Sequence, residues 1–305
     1  MSEDLKTEEA DDVRCYASCG ITTAGDDIKL EKCDACDLVR YCSMKCQQED
    51  SPQHEEARKK RAAELYDEIL FKQPESSHFG DCPICFLPLP IDPTKSILMP
   101  CCSKSVCIGC NYANQSREVE QSLHPTCPFC RNPAPKTDAE ADKDRMKRAK
   151  ANDPVALREV GRQLCNDGDY DGAFESLTKA AELGDTDAHY QLSCSYAKGA
   201  GVEKDMKKAV YHWERAAIGG HPIARYNLGW EEMNNGRIVR AGKHFIIAAN
   251  LGFDESLERL RECYAMGVIQ KEDFAAALRA HQAAVDATKS PQREAAAAVY
   301  AHRLC

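Results

Sequence analysis

The residues of this chain most able to do chemistry are its cysteines. The sequence contains 18 cysteines, and fourteen of them lie before residue 131. Most of these occur in pairs separated by two or three residues, arranged in two successive frameworks. A C-x2-C pair places two thiolates on one tight turn, where they can occupy adjacent corners of a tetrahedral zinc site. We therefore expect bound zinc to organise the N-terminal part of the chain.

The more regular framework lies between residues 82 and 131. It consists of Cys82-x2-Cys85, the adjacent Cys101-Cys102, Cys107-x2-Cys110 and Cys127-Pro128-Phe129-Cys130-Arg131. This order resembles a RING finger, in which two zinc ions are bound in a cross-brace. The resemblance implies that one ion is held by the first and third pairs, Cys82, Cys85, Cys107 and Cys110. The other ion is then held by Cys101, Cys102, Cys127 and Cys130.

The middle of this framework departs from the common RING pattern. RING fingers often have a histidine two residues after the third cysteine, whereas this chain has adjacent cysteines followed by Lys104. An all-cysteine ligand set is our expectation, and His124 is the reserve ligand because imidazole also binds zinc.

The first framework lies between residues 15 and 54. It consists of Cys15-x3-Cys19, Cys33-x2-Cys36, Tyr41-Cys42, Cys46-Gln47 and His54. This order resembles a MYND finger, whose two zinc sites also interleave. The resemblance implies that one ion is held by Cys15, Cys19, Cys42 and Cys46. The other ion is then held by Cys33, Cys36 and His54.

The second of these MYND sites lacks its last cysteine. The family pattern ends H-x3-C, and Arg58 stands at that position here. A guanidinium stays protonated and has no lone pair for a metal. A water molecule, Glu55 or Glu56 would have to complete the site, and the alternative for His54 is a solvent-exposed residue at the start of a helix. We therefore expect three or four Zn²⁺ ions in all.

Composition limits the broad class of the protein. The chain has 305 residues, a net charge of -9 and 43% hydrophobic residues, which is typical of a soluble, folded, acidic protein. No stretch approaches the roughly 18 apolar residues of a membrane span, and the acidic start MSEDLKTEEADD is unlike a signal peptide. We expect a cytoplasmic or nuclear protein that is not secreted, since a reducing compartment favours metal over disulfides. The negative charge argues against a nucleic-acid partner.

Three similar segments recur in the second half of the chain. They read KAAELGD, RAAIGGH and IAANLGFD, and they align with Ala180, Ala216 and Ala248 as equivalent residues. These alanines are 36 and 32 residues apart. A period in the thirties indicates stacked helical hairpins.

The best-preserved unit resembles a Sel-like repeat of the tetratricopeptide superfamily. The resemblance rests on Tyr196-x2-Gly199-x-Gly201-Val202-x2-Asp205 and on Lys208-Ala209-x3-Trp213-x2-Arg215-Ala216-Ala217. We expect three units at 153–185, 186–221 and 222–254, and a degenerate fourth unit to about residue 287. Such an array buries its own continuous core. The cysteines outside the two frameworks are expected to be small buried hydrophobic residues rather than ligands; they are Cys165, Cys194, Cys263 and Cys305.

The expected fold is multidomain, with two small zinc-stabilised fingers followed by an all-α Sel-like repeat solenoid. The expected boundaries are 1–12 for a disordered acidic N-terminus, 13–58 for the MYND finger, 59–79 for a linker helix, 80–135 for the RING finger, 136–152 for a charged linker, 153–288 for the repeats and 289–305 for a C-terminal tail. This order resembles that of a family of diatom and algal proteins.

The RING resemblance implies a function. RING fingers commonly bind a ubiquitin-conjugating enzyme charged with ubiquitin and supply no nucleophile, so no catalytic residue and no covalent intermediate are expected on this chain. The family's contact positions correspond to Ile84, Pro128 and Arg131. The leading hypothesis is a RING-type ubiquitin ligase whose partners are the conjugating enzyme and ubiquitin. Protein or peptide partners would bind the repeats, and proline-containing peptides would bind the MYND finger.

The alternative is a non-catalytic scaffold. In that case the zinc ions only stabilise the fingers, and the repeats provide a protein-binding groove. Loss of Ile84 or Arg131 should abolish activity under the first hypothesis and change nothing under the second.

Overall fold

The computed structural model describes residues 31–32, 40–41 and 59–303. Two compact units make up the chain, Met1–Leu70 and Phe71–Cys305. The expected acidic N-terminus and all of the expected MYND ligands lie outside the described residues.

The described part of the first unit contains two short strands and a helix. Strand β1 (Glu31–Lys32) pairs antiparallel with β2 (Arg40–Tyr41). Helix α1 covers residues 59–70. The sequence predicted a linker helix to residue 79, but the helix ends earlier. Pro74 explains this difference, because proline disfavours helical geometry at the preceding residue and cannot donate a helical hydrogen bond.

The second unit begins with the cysteine-rich module. Strands β3 (Ser96–Met99) and β4 (Lys104–Cys107) form an antiparallel hairpin, and helix α2 (Ile108–Glu120) follows directly. A single turn of 3-10 helix over Pro93–Lys95 precedes the hairpin. The hairpin therefore holds one cysteine pair at its tip and delivers the next pair to the start of a helix.

Ten more helices follow. They are α3 (Asp138–Lys150), α4 (Pro154–Asn166), α5 (Tyr170–Glu182), α6 (Thr186–Lys198), α7 (Met206–Ile218), α8 (Pro222–Asn234), α9 (Ile238–Asn250), α10 (Glu255–Ala265), α11 (Lys271–Ala287) and α12 (Pro291–Arg303). Helices α4 and α5, α6 and α7, and α8 and α9 pack as consecutive pairs. Each pair falls within one of the three expected repeat units. Among the described helices, none combines the length and apolar character needed to span a membrane.

The first helix of each repeat begins with the same kind of cap. Asp153, Asp185 and His221 each accept a hydrogen bond from the backbone N–H three residues later. Such a bond satisfies one of the free donors of a helix N-terminus. The position of Gly201, before α7, requires glycine for two reasons. Its φ is 72°, and a Cβ there would lie 2.3 Å from the carbonyl oxygen of Tyr170.

Equivalent residues connect each repeat to the next. The residue five positions after each cap contacts the segment that begins the following repeat, and the type of contact differs at each junction. The three contacts are an ion pair of Arg158 Nε with Asp185 Oδ2 at 3.3 Å, a stack of Tyr190 on His221 with centroids 4.3 Å apart, and an edge contact of Tyr226 with Phe253 at 5.4 Å.

The repeat core is built from small residues. Ala180, Ala216 and Ala248, the alanines that revealed the repeat, are all fully buried because the helices approach closely there. Cys263 is also fully buried, whereas Cys165 and Cys194 are partly buried.

The segments expected as a charged linker and as a C-terminal tail both contain a packed helix. The charged linker contains α3, which packs against α4, and the expected C-terminal tail contains α12, which packs against α2. Ser290 and Pro291 explain the start of α12, since the Ser290 hydroxyl accepts from the N–H of Arg293 and proline is favoured in the first helical turn.

Candidate metal centres

Eight cysteine sulfurs form two compact groups. Within each group the Sγ atoms all lie within 4.8 Å of one another. The groups are Cys82, Cys85, Cys107 and Cys110, and Cys101, Cys102, Cys127 and Cys130. The first pair of the framework thus joins the third, and the second joins the fourth, in the interleaved order expected from the sequence. His124 is exposed and belongs to neither group.

The distances between sulfurs suit zinc. Four sulfurs at about 2.3 Å from a tetrahedral zinc ion lie about 3.8 Å from one another. The measured separations are 3.8 Å for Cys85 and Cys107, 3.9 Å for Cys102 and Cys127, and 3.4 Å for Cys101 and Cys130. Four thiolates at these separations form a closed structural site, which would hold zinc without leaving a position open for substrate.

The first and last cysteine pairs lie on backbone turns of the same kind. The N–H of Phe86 donates to the carbonyl of Cys82 at 2.9 Å, and the N–H of Arg131 donates to the carbonyl of Cys127 at 3.0 Å. Phe86 and Arg131 have φ values of 56° and 63°, in the left-handed region. We call these turns the first and second zinc knuckles, over residues 82–86 and 127–131.

The other two pairs depend on the β3–β4 hairpin. Cys101 and Cys102 lie at its tip, where the N–H of Ser103 donates to the carbonyl of Met99 at 2.8 Å. Cys107 ends β4 and caps α2, because its Sγ accepts from the N–H of Cys110 at 3.4 Å. A hydrogen bond from a backbone N–H stabilises the thiolate form that a metal requires.

The titration of these thiols explains why the groups need a cation. Burial, reinforced by neighbouring sulfurs, raises the pKa of Cys102 to about 11 and that of Cys110 to about 12. Thiols packed together cannot all ionise without a positive charge between them. A bound dication supplies that charge, so metal binding would release protons from these cysteines.

The expected partner-contact residues lie on the two knuckles. The Ile84 side chain is 38% exposed, and Arg131 is also exposed. Nη1 of Arg131 donates to Oδ1 of Asn114 on α2 at 2.6 Å. Pro128, in contrast, is buried. A partner can therefore reach Ile84 and Arg131 directly, whereas Pro128 is covered in this conformation.

Arg293 on α12 contributes to the first knuckle, which the sequence did not indicate. This side chain is 6% exposed. Its Nη1 donates to the carbonyl oxygens of Pro88 at 2.7 Å and Thr288 at 2.6 Å, and its Nη2 donates to that of Leu87 at 3.1 Å. Nη2 also lies 3.4 Å from the Sγ of Cys85. A guanidinium next to a ligand sulfur favours the thiolate.

The rest of α12 packs along α2. The Tyr300 hydroxyl accepts from Nδ2 of Asn111 at 3.2 Å and donates to Oε1 of Gln115 at 3.4 Å. Gly109 faces Arg293 so closely that an added Cβ would lie 3.0 Å from the backbone nitrogen of Arg293. The last helix of the chain is therefore an integral part of the cysteine-rich module.

A third group of possible ligands consists of His78, Asp187 and His221, and two of these, Asp187 and His221, are joined by a hydrogen bond. The N–H of Ala224 donates to Nδ1 of His221 at 3.2 Å, so the proton of the neutral ring is on Nε2. That nitrogen lies 3.2 Å from Oδ1 of Asp187, to which it donates. Arg158 also donates to Asp187, at 2.6 Å. The carboxylate of Asp187 is therefore already paired with Arg158 and His221 without a metal ion.

Comparison with known proteins agrees with the architecture. Residues 15–57 match the MYND finger, and residues 155–185 and 186–221 match the Sel1 repeat. A Sel1 repeat protein from Oxalobacter formigenes is 25% identical, with 57% of this chain and 71% of that chain covered and a TM-score of 0.43. A protective antigen of uropathogenic Escherichia coli with an SLR fold is 18% identical, with 55% and 38% covered and a TM-score of 0.40. The chain thus contains a MYND zinc finger and Sel1 repeats, modules of zinc binding and protein–protein interaction, with two cysteine clusters between them that could hold zinc.

Proposed function

We propose that residues 80–135 form a RING finger that recruits a ubiquitin-conjugating enzyme, and that the protein acts as a ubiquitin ligase. The observation that carries the proposal is the interleaved arrangement of eight cysteines in two four-sulfur groups. Both groups are organised around the β3–β4 hairpin and helix α2. The activity belongs to the cytoplasm or nucleus, where we place the protein.

Exposed apolar side chains on the two knuckles support a partner-binding role. Ile84 and Phe86 on the first knuckle are 38% and 76% exposed, and Phe129 on the second is 42% exposed. Neighbouring exposed hydrophobic residues on a folded surface typically mark an interaction site. We propose that these side chains contact the conjugating enzyme.

Arg131 would act as a positioning residue between the conjugating enzyme and ubiquitin. A guanidinium has five N–H donors, and the bond to Asn114 uses one of them. Asn114 thereby orients the planar group of this exposed residue. The RING finger itself contributes no nucleophile, so its residues only bind and orient the charged enzyme.

Partner recruitment would fall to the other modules. We propose that the Sel1 repeats bind protein segments and that the MYND finger binds proline-containing peptides. Both roles rest on what such modules commonly do.

The test is ubiquitin-chain formation by the full-length, zinc-loaded protein with a panel of conjugating enzymes. Ile84→Ala and Arg131→Ala should each reduce chain formation at least tenfold, whereas Ile97→Ala and Arg279→Ala should not. Ile97 and Arg279 are matched controls because they are exposed but lie outside the knuckles. Zinc content is measured for every variant, so that a folding defect is separated from a contact defect.

A non-catalytic scaffold is the second candidate, and the burial of Pro128 favours it. If zinc-loaded protein forms no chains and binds none of the enzymes, the cysteine module serves folding alone. The repeats and the MYND finger would then carry the function by protein binding.

A further inference from the structure

A groove of about 570 Å³ lies in the second unit, where the cysteine-rich module meets the repeat helices. Its walls come from the segment before the first knuckle, the segment that leads into β3, the turn between α9 and α10, and the end of α11. This volume is in the range of pockets that enclose small molecules or a few residues of a peptide.

The floor of the groove is apolar and closely packed. Gly252 is one of its lining residues and has a φ of 90°. A Cβ on this glycine would lie 3.5 Å from the Cβ of Ala284 and 3.9 Å from Ile91 Cδ1 and Val285 Cγ2. Ile223, Leu251 and Phe253 are also part of the apolar lining. The floor can therefore take an aliphatic side chain.

Several prolines lie along the rim. Four of the lining residues are prolines, namely Pro74, Pro88, Pro90 and Pro93. Proline has a fixed φ and no backbone N–H. These four residues therefore offer no backbone donor to a ligand, and their backbone is conformationally restricted.

The charged groups at the rim are mostly carboxylates. Glu75, Asp92, Asp254 and Glu255 all line the groove and are exposed. Lys95 is the one cationic residue among the described residues of the lining, and its Nζ lies 3.6 Å from Oδ2 of Asp92. Negative charge therefore predominates around the apolar floor.

We propose that this groove binds a peptide segment of another protein in which aliphatic side chains alternate with lysine or arginine. An aliphatic side chain would fill the floor over Gly252, and flanking cations would meet the carboxylates of the rim. Complementary charge gives such an interface its specificity and a salt-dependent association rate. The assignment of this segment to a ubiquitination substrate rests on the proposed function, whereas the binding itself does not.

The experiment measures binding by the full-length, zinc-loaded protein. The probe is a fluorescein-labelled peptide of three lysines alternating with two leucines, followed by fluorescence anisotropy. Two matched peptides carry glutamate in place of lysine, or serine in place of leucine. The lysine–leucine peptide should bind at least tenfold more tightly than either, and its affinity should fall as salt is raised.

Two charge-matched double variants test the location. Glu75→Lys with Glu255→Lys reverses charge at the rim, and Glu203→Lys with Glu272→Lys does so at exposed positions outside the groove. The rim variant should lose at least tenfold in affinity, while the control should stay within about twofold. Circular dichroism and zinc content show that both remain folded.

Each outcome decides the proposal. Equal binding by the two double variants, equal binding of the lysine and glutamate peptides, or no binding of any peptide would overturn it. If the groove binds as expected and no ubiquitin chains form, the ligase hypothesis fails and the peptide site remains.

Discussion

The imidazole of His78 stacks on that of His221, with ring centroids 4.1 Å apart and planes 13° from parallel. His78 lies just before the first knuckle, and His221 caps the third repeat. The N–H of His78 also donates to the carbonyl of Gly220 at 3.1 Å. These contacts join the start of the cysteine-rich module to a repeat boundary.

This junction should make stability depend on pH. Burial, together with nearby His221 and Arg158, lowers the pKa of His78 to about 3. The unfolded chain binds a proton at this residue near pH 6.5, so the folded state loses stability as the pH falls from about 6.5 towards 3. At pH 5 the loss is about 2 kcal/mol relative to a variant without this group.

Denaturant unfolding of the wild type and of His78→Phe at pH 7 and pH 5 checks this value. Phenylalanine keeps an aromatic ring for the stack and cannot be protonated. Between pH 7 and pH 5, the free energy of unfolding of the wild type should therefore fall by that amount relative to the variant. Both proteins keep all eight zinc-ligand candidates, so metal release at low pH affects them equally. An unchanged difference would show that His78 is hydrated in the native protein.

Arg293→Ala should destabilise the cysteine-rich module. The substitution removes a buried guanidinium that donates to three carbonyl oxygens and lies beside Cys85. Leaving buried acceptors unsatisfied costs about 2–4 kcal/mol in total. Zinc release to a chromogenic chelator should be at least tenfold faster than in the wild type. Arg279→Ala, an exposed change on α11, is the control, and equal release rates in both variants would remove Arg293 from the zinc environment.

Gly109→Ala should destabilise the contact between α2 and α12, although alanine has the higher helix propensity. Gly109 is the second residue of α2, and within helices alanine is favoured over glycine by up to about 1 kcal/mol. Here the new Cβ would lie 3.0 Å from the backbone nitrogen of Arg293 and 3.1 Å from its Cα. Because a backbone cannot rotate away, α12 must shift, and we expect a lower melting temperature together with faster proteolysis after α11. A higher melting temperature would show that α12 lies further from α2.

Much of this fold can be predicted from the sequence. The interleaved sulfur groups are what the resemblance of the cysteine order to a RING finger implies, and the repeat helices follow from the spacing of alanines such as Ala180 and Ala216. The position of α12 could not be predicted, because its small alanine face gives a weak local signal and its partner α2 lies outside the repeats. The contact of Arg293 with Cys85 spans most of the second unit and has no local pattern. The burial of Pro128 likewise depends on tertiary packing.

Removal of zinc should unfold the cysteine-rich module and leave the repeats. Four of the seven buried residues in the module's core are cysteines, and only Leu89, Met99 and Val106 are ordinary hydrophobic residues. Structural zinc contributes on the order of 10 kcal/mol to such a site, which so small a core cannot replace. Helices α2 and α12, of 13 residues each, should lose their structure together because they pack on each other. The paired repeat helices have their own buried clusters. Far-ultraviolet circular dichroism with a strong chelator should therefore show a partial loss of helix, with proteolysis appearing between α11 and α12. Complete loss of helix would mean that the repeats require the zinc-bound module to fold.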